Sequence, residues 1–126
     1  MYLIDTNIFL EILLKQDRSS KAKEYLASIN EEQIFISDFS VYSIGIILNK
    51  LNRLNSFELF LKGIIIDGIP ILSLSSEDLL NINIITKDYN LDFDDAYQYL
   101  VAKKNNLNLV TFDSDFQKTD LSVTAP

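Results

Sequence analysis

The stretch LDFDDAYQYLVAKKNNLNLVTFDSDF, Leu91 to Phe116, decides how the rest of this chain is read. It opens on an acidic cluster. Phe93, Ala96, Tyr97, Leu100 and Val101 follow at helical spacing and predict roughly four turns of helix. Asn105-Asn106 breaks the pattern. Leu107, Leu109 and Val110 then predict a buried strand that runs into Thr111-Phe112-Asp113-Ser114-Asp115. A helix start and a strand end that both carry carboxylates are thereby brought together. Such an arrangement is costly near a core unless a cation neutralises it.

Outward from this stretch the same alternation repeats. Tyr2-Leu3-Ile4 predicts a strand ending on Asp5-Thr6-Asn7, followed by a helix over Ile8 to Leu14. A polar turn from Asp17 to Ser20 leads to a second helix through Ala22, Tyr25, Leu26 and Ile29. Ile34-Phe35-Ile36 is the second strand, ending on Ser37-Asp38. Phe39 to Leu51 is apolar nearly all round and predicts a buried helix, with Ser40 and Ser43 on one face. Phe57 to Ile66 predicts another helix, its stripe made by Phe57, Phe60, Leu61 and Ile64, and Gly68 with Pro70 ends it. Ile71-Leu72 with Leu74 is a third strand. Ser75-Ser76-Glu77-Asp78 has the form of a capping box opening a helix to about Thr86. Leu121 to Thr124 is a last short strand. Strands separated by helices imply an α/β fold: a three-layer α/β/α sandwich around a parallel sheet of four or five strands, in one domain over residues 1–126.

The composition narrows the chemistry. No Cys means no thiol nucleophile and no thiolate metal site. No His removes the usual general base, the Ser-His-Asp triad and the common zinc sites. Hydrolysis must then rest on carboxylates, hydroxyls, Lys or Tyr, and carboxylates without His suit a hard cation such as Mg²⁺ or Mn²⁺. The net charge of −7 argues against nucleic-acid binding through a broadly basic surface. A phosphate substrate remains compatible if a metal inverts the local sign. No apolar run approaches the ~18 residues of a membrane span, and the chain opens on YLID with no basic leader, so a cytoplasmic location is expected.

Ligands of such sheets bind beyond the carboxyl ends of the strands. Three strands end there on acids: Asp5, Asp38, and Asp113 with Asp115. Each has an ordinary reading as well. Asp5 caps a helix, Asp38 is read as a cap, Asp94 or Asp95 complements a helix dipole, and Asp113 and Asp115 serve a turn. Joint placement of Asp5, Asp95 and Asp113 at one sheet edge favours a metal site. Thr6, Asn7, Ser43 and Thr111 are candidates to orient waters or phosphate oxygens. Spacing alone does not choose between Asp94 and Asp95.

The chain resembles the PIN domain family, and most of all its small VapC-type members. LIDTNIFLEIL at 3–13, FISDFSVYSIGIIL at 35–48 and DDAYQYLVAKKNNLNLVTFDSDF at 94–116 carry the resemblance. The last segment resembles the family's Asp-Ala opening a helix, then a strand running into Thr-x-Asp. It selects Asp95 over Asp94. The resemblance implies that Asp5, Asp95 and Asp113 are catalytic metal ligands, with Asp115 as a further ligand. It also implies Mg²⁺- or Mn²⁺-dependent cleavage of RNA phosphodiesters, an antitoxin partner and a homodimer. The family's Glu in the helix after the second strand falls, in register from Ser37, on Ser43, and no acid occurs between Asp38 and Glu58. A PIN domain weakened in catalysis and used as an RNA- or protein-binding module is therefore the alternative. Lys15, Arg18, Lys21 and Lys23 are placed to border a groove or to form a solvated helix face.

Phosphotransfer is a further rival that the pattern disfavours. A receiver domain needs an acidic pair after its first strand, where this chain has only Asp5. In haloacid-dehalogenase-like enzymes an Asp-x-Asp follows an early strand, whereas Asp113-Ser114-Asp115 stands near the end of this sequence.

Overall fold

The computed structural model describes the whole sequence, Met1–Pro126. Five strands, β1 (Tyr2–Ile4), β2 (Ile34–Ser37), β3 (Ile71–Leu72), β4 (Asn108–Val110) and β5 (Val123–Thr124), form one parallel sheet in the order β3-β2-β1-β4-β5. The helices are α1 (Thr6–Leu13), α2 (Ser19–Ser28), α3 (Asp38–Lys50), α4 (Leu54–Asp67), α5 (Ser76–Leu79), α6 (Ile82–Tyr89) and α7 (Phe93–Lys104). The α/β class and the five parallel strands agree with the sequence reading.

The strands alternate their side chains between two cores, as a period of two requires. Leu3, paired with Leu109 on one side and Phe35 on the other, faces the core made with α6 and α7. Ile4, paired with Val110, faces the opposite core with Ile8, Ala22, Ile44 and Ile64 of α1 to α4. The sheet is thus covered on both faces, which explains why its strands are short and almost wholly apolar.

Strand order reverses between β1 and β4. From β1 the chain moves outward through β2 and β3, then returns to the other side of β1 as β4. This switch point opens a crevice at the carboxyl ends of two neighbouring strands. Asp5 follows β1, Thr111 follows β4, and the Asp5 N–H donates to the Val110 carbonyl at 2.9 Å.

Several expectations need correction. Helix α3 is not buried all round: Ser40, Val41, Ile44 and Leu48 are buried, but Tyr42 and Ile46 are 65% and 57% exposed. The helix from Ser76 breaks at Leu80–Asn81. There Leu80 and Asn81 donate three residues back, to Glu77 and Asp78, and this tighter turn lets α6 start afresh with Ile82 buried. The capping box between Ser75 and Asp78 is present. Phe93 does not belong to the buried stripe of α7 and is 55% exposed, whereas Gln98 and Tyr99 are buried.

Two glycines of α4 allow a paired test of this backbone. Gly68 ends the helix at φ +67, where a Cβ costs about 1–2 kcal/mol. Gly63 sits inside the helix, and a Cβ there meets nothing. In urea denaturation, Gly68→Ala is expected to lower stability by about 1–2 kcal/mol. Gly63→Ala should raise it by roughly 0.5–1 kcal/mol.

Candidate metal centre

Asp5 is the anchor of the crevice. It caps α1 in extended conformation, and only 7% of it is exposed. Four donors surround its carboxylate. The Thr6 N–H (2.8 Å) and the Gln98 amide (2.9 Å) donate to Oδ1, and the Thr111 hydroxyl (2.7 Å) and the Asn7 amide (3.3 Å) donate to Oδ2. The cap reading and the site reading of Asp5 therefore hold together. Burial pushes its pKa up, opposed by the Gln98, Thr111 and Thr6 hydrogen bonds and reinforced by the charge of Asp113.

The donors are themselves fixed. Thr111 is 1% exposed and also accepts from the Asn7 amide (3.0 Å) and the Asp113 N–H (2.9 Å). Asn7 accepts from the Phe112 N–H at 3.1 Å, which ties α1 to the segment after β4. The Gln98 carbonyl accepts from the Ser37 hydroxyl (2.6 Å), and its amide also donates to Ser40 (2.9 Å). Thr6 donates to the same Ser40 oxygen at 2.8 Å. Gln98 was not foreseen from the sequence, because it sits inside an apolar helical pattern. The signal available was its position three residues after Asp95, on the same face of α7.

Three further acids meet beside this network. Asp95 lies in the first turn of α7, Asp113 caps a short 3-10 turn over Ser114–Lys118, and Asp115 lies within that turn. Their carboxylates lie within 4.8 Å of one another. Asp113 Oδ1 accepts the Asp115 N–H at 2.8 Å, so the turn hydrogen bond expected of these residues is present too. Asp94 groups only with Asp92 and Asp95. A cavity of about 300 Å³ is lined by Asp5, Asp94, Asp95, Asp113, Gln98 and Ser43, among others. Asp5 shares that cavity but stands outside the group of acids that approach within 4.8 Å.

Asp38 is placed elsewhere. Ser37 is the cap of α3, accepting from the Ser40 N–H at 3.0 Å, while Asp38 is already the first helical residue. The Asp38 carboxylate accepts from the Tyr97 hydroxyl at 2.7 Å and does not line the cavity.

The donor set fits a hard divalent cation. Desolvation pushes Asp95 up to about 7, and the neighbouring charges of Asp94, Asp113, Asp5 and Asp92 add to it. A group of carboxylates that cannot all ionise comfortably offers a cation oxygen ligands and a relief of repulsion together. No nitrogen or sulfur ligand is available, which disfavours zinc.

The family model described as PIN domain matches residues 2–121. No curated protein matches the sequence. Among solved structures, the chain is similar to VapC20 of Mycobacterium tuberculosis, a toxin described as cleaving the sarcin–ricin loop. The TM-score is 0.85 at 16% identity, covering 100% of both chains. It is similar to a chain of the FitAB complex bound to a DNA fragment, with TM-score 0.83 and 22% identity over 100% of this chain and 95% of the other. A toxin–antitoxin complex from Klebsiella pneumoniae gives 0.76 at 23% identity, over 98% and 96%.

Two outcomes follow from this geometry. Gln98→Leu keeps the volume but removes the amide, leaving Ser37 and Ser40 short of a partner and Asp5 short of a donor. It should cost about 2 kcal/mol in chemical denaturation. Asp95 supplies a pH dependence. As pH rises from 3.8 to about 7, the unfolded chain has released a proton that the folded chain keeps, so stability falls across that window and levels off above it. Asp5 adds in the same direction. Thermal melting across this range should show the decline in the absence of metal, and Asp95→Asn or added Mn²⁺ should flatten it.

Proposed function

The chain belongs to the PIN domain family, and we propose that it is a metal-dependent ribonuclease, the toxin of a toxin–antitoxin pair, using Mg²⁺ or Mn²⁺. The observation that carries this reading is the meeting of Asp95, Asp113 and Asp115 in one crevice beside the fixed carboxylate of Asp5. RNA as substrate is supported by the sarcin–ricin activity described for the structurally similar VapC20. A partner antitoxin is supported by the toxin–antitoxin complexes among the similar structures.

Asp95, Asp113 and Asp115 would hold the ion, with Asp5 completing the negative field around it. The ion, when bound, supplies positive charge to a phosphodiester and acidity to water. The residues of this chain do the rest. Asp5 cannot swing aside, because Thr6, Asn7, Gln98 and Thr111 hold both its oxygens. Thr111 fixes the start of the turn carrying Asp113 through its backbone N–H. Asp95 and Asp113 are half-buried, so one side of each remains open to substrate and water. Hydrolysis joins the oxygen of water to phosphorus as the bond to the 3′-oxygen breaks, and the proton given up by the water ends on the departing 3′-oxygen.

The exposed apolar side chains Tyr42 and Ile46 of α3, with Leu59, Ile65 and Ile66 of α4, support a homodimer or an antitoxin interface as part of the same reading.

A second reading has its own observation. Ser43 lines the cavity where the family pattern has an acid, which favours a domain that binds RNA or protein with weakened catalysis. Manganese binding and RNA cleavage separate the two. The nuclease reading expects Asp95→Asn and Asp113→Asn each to lower Mn²⁺-dependent cleavage by about 100-fold or more. Ser43→Glu should tighten Mn²⁺ binding, read by the electron paramagnetic resonance of free Mn²⁺. RNA binding without metal-dependent cleavage by the unaltered chain would favour the binding module.

A further inference from the structure

Arg18 is built into the surface in a way that no other base of this chain is. Its backbone N–H donates to Glu11 Oε2 at 2.9 Å, and its Nη2 donates to Glu11 Oε1 at 3.4 Å. Glu11 is 8% exposed, a nearly buried acid on α1, and Arg18 is its ion-pair partner. The guanidinium carbon lies 4.1 Å from the ring centroid of Phe112, so the cation is seated on an aromatic face. Phe112 directly precedes Asp113, and its N–H is bound by Asn7. The side chain is nonetheless 48% exposed. Of its five N–H donors, the one toward Glu11 is the sole side-chain hydrogen bond it makes within the protein.

The other bases are arranged differently. Lys103 and Lys104 pair with exposed or half-exposed acids far along the chain, Asp120 and Asp78. Lys118 donates to the Asn90 carbonyl. Lys15, Lys21 and Lys23 are exposed and pair with no acid. A guanidinium braced on one edge by a buried carboxylate and on one face by a ring has lost its freedom before any ligand arrives. Its outward donors form a fork that matches phosphate oxygens. In a chain of net charge −7 a fixed cation, seated on the ring that directly precedes Asp113, is where a polyanion gains most.

We propose that Arg18, braced by Glu11 and Phe112, binds a backbone phosphate of the RNA strand entering the metal centre and is a substrate-positioning residue. The inference rests on the nuclease reading above and adds the contact that seats the strand.

The test is binding of a labelled, random-sequence, single-stranded RNA, with Ca²⁺ replacing Mg²⁺ to keep the strand uncut, measured over a range of salt. Arg18→Gln is combined with Glu11→Gln so that no buried carboxylate is left unpaired. Arg18→Lys retains the charge without the fork, and Lys62→Gln on α4 removes one positive charge from an exposed position elsewhere. The double variant should bind about tenfold more weakly, the size expected for one charge-assisted contact. Its slope of log affinity against log salt should flatten by about 0.7, one phosphate's worth on a single strand. Arg18→Lys should keep the slope and recover only part of the affinity, and Lys62→Gln should behave as the unaltered chain. Mn²⁺ affinity should be the same in all four proteins. RNA binding by the double variant equal to that of the unaltered chain, or an equal loss in Lys62→Gln, overturns the assignment and leaves the nuclease reading standing. Absence of RNA binding by the unaltered chain overturns both.

Discussion

Burial of the Asp5 carboxylate is the constraint from which the carboxyl edge of the sheet follows. Removing a carboxylate from water costs several kcal/mol unless its oxygens find partners. The chain meets that cost with donors drawn from the start of α1, the middle of α7 and the end of β4. Gln98 extends the same network to Ser37 and Ser40 at the junction of β2 and α3. No buried side-chain polar atom is left without a partner. Such a network closes only when all its elements are in place, so it couples the packing of both cores to one small group of polar atoms. The apolar alternation of the strands sets which face each side chain takes. The polar network sets how the strand ends meet.

That meeting has a consequence for charge. With Asp5 fixed at the end of β1 and Thr111 at the end of β4, the turn bearing Asp113 and Asp115 is held against the first turn of α7. Asp95 is then half-buried among like charges, and its pKa is pushed up to about 7. Elsewhere on the molecule the acids are stabilised: Lys104 and Ser75 hold Asp78 down to about 2, and Lys103 and Tyr99 do the same for Asp120. At Asp78 and Asp120 a base holds the acid ionised, whereas the acids at the switch point are opposed by one another. Local rules are broken where function is expected, and the surrounding structure supplies the compensation.

Much of this was legible in the sequence because two periodicities and the helix caps speak to local physics. Leu3-Ile4, Ile34-Phe35-Ile36 and Leu109-Val110 could only be buried strands between helices, and Gly68 could only end α4. The placing of Asp5 and Asp113 on one cavity follows from parallel strands presenting their carboxyl ends together, whereas Asp95 was singled out from Asp94 only by the family resemblance. What escaped the sequence is what tertiary context decides. Asp38 has the composition of a cap, but Ser37 takes that place because it keeps the extended backbone while Asp38 is already helical. Tyr42 and Ile46 are apolar yet exposed, because α3 packs along one face only. Gln98 looked like a polar residue on a helix, and nothing local reveals that its amide points at a carboxylate ninety-three positions away. The pairing of Arg18 with Phe112 is equally invisible, since α2 and the segment after β4 meet only in the folded chain.

The acids of the crevice divide into two kinds, and the division bears on Ser43. Asp5 has all four of its lone-pair directions occupied by protein donors, the longest being the 3.3 Å bond from Asn7. It holds its position by structure. Asp95, Asp113 and Asp115 are more exposed and keep free lone pairs, and on the proposed nuclease reading they are the acids that adjust to a cation. In that scheme an acid at position 43 would add another charge from α3 to a crevice where Asp95 is already reluctant to ionise. A hydroxyl there lowers the repulsion that metal-free folding must bear. On the proposed nuclease reading a hydroxyl at position 43 trades affinity for the ion against stability without it. On the same proposed reading the ion is held from α7 and from the turn after β4, the segment whose ring also seats Arg18.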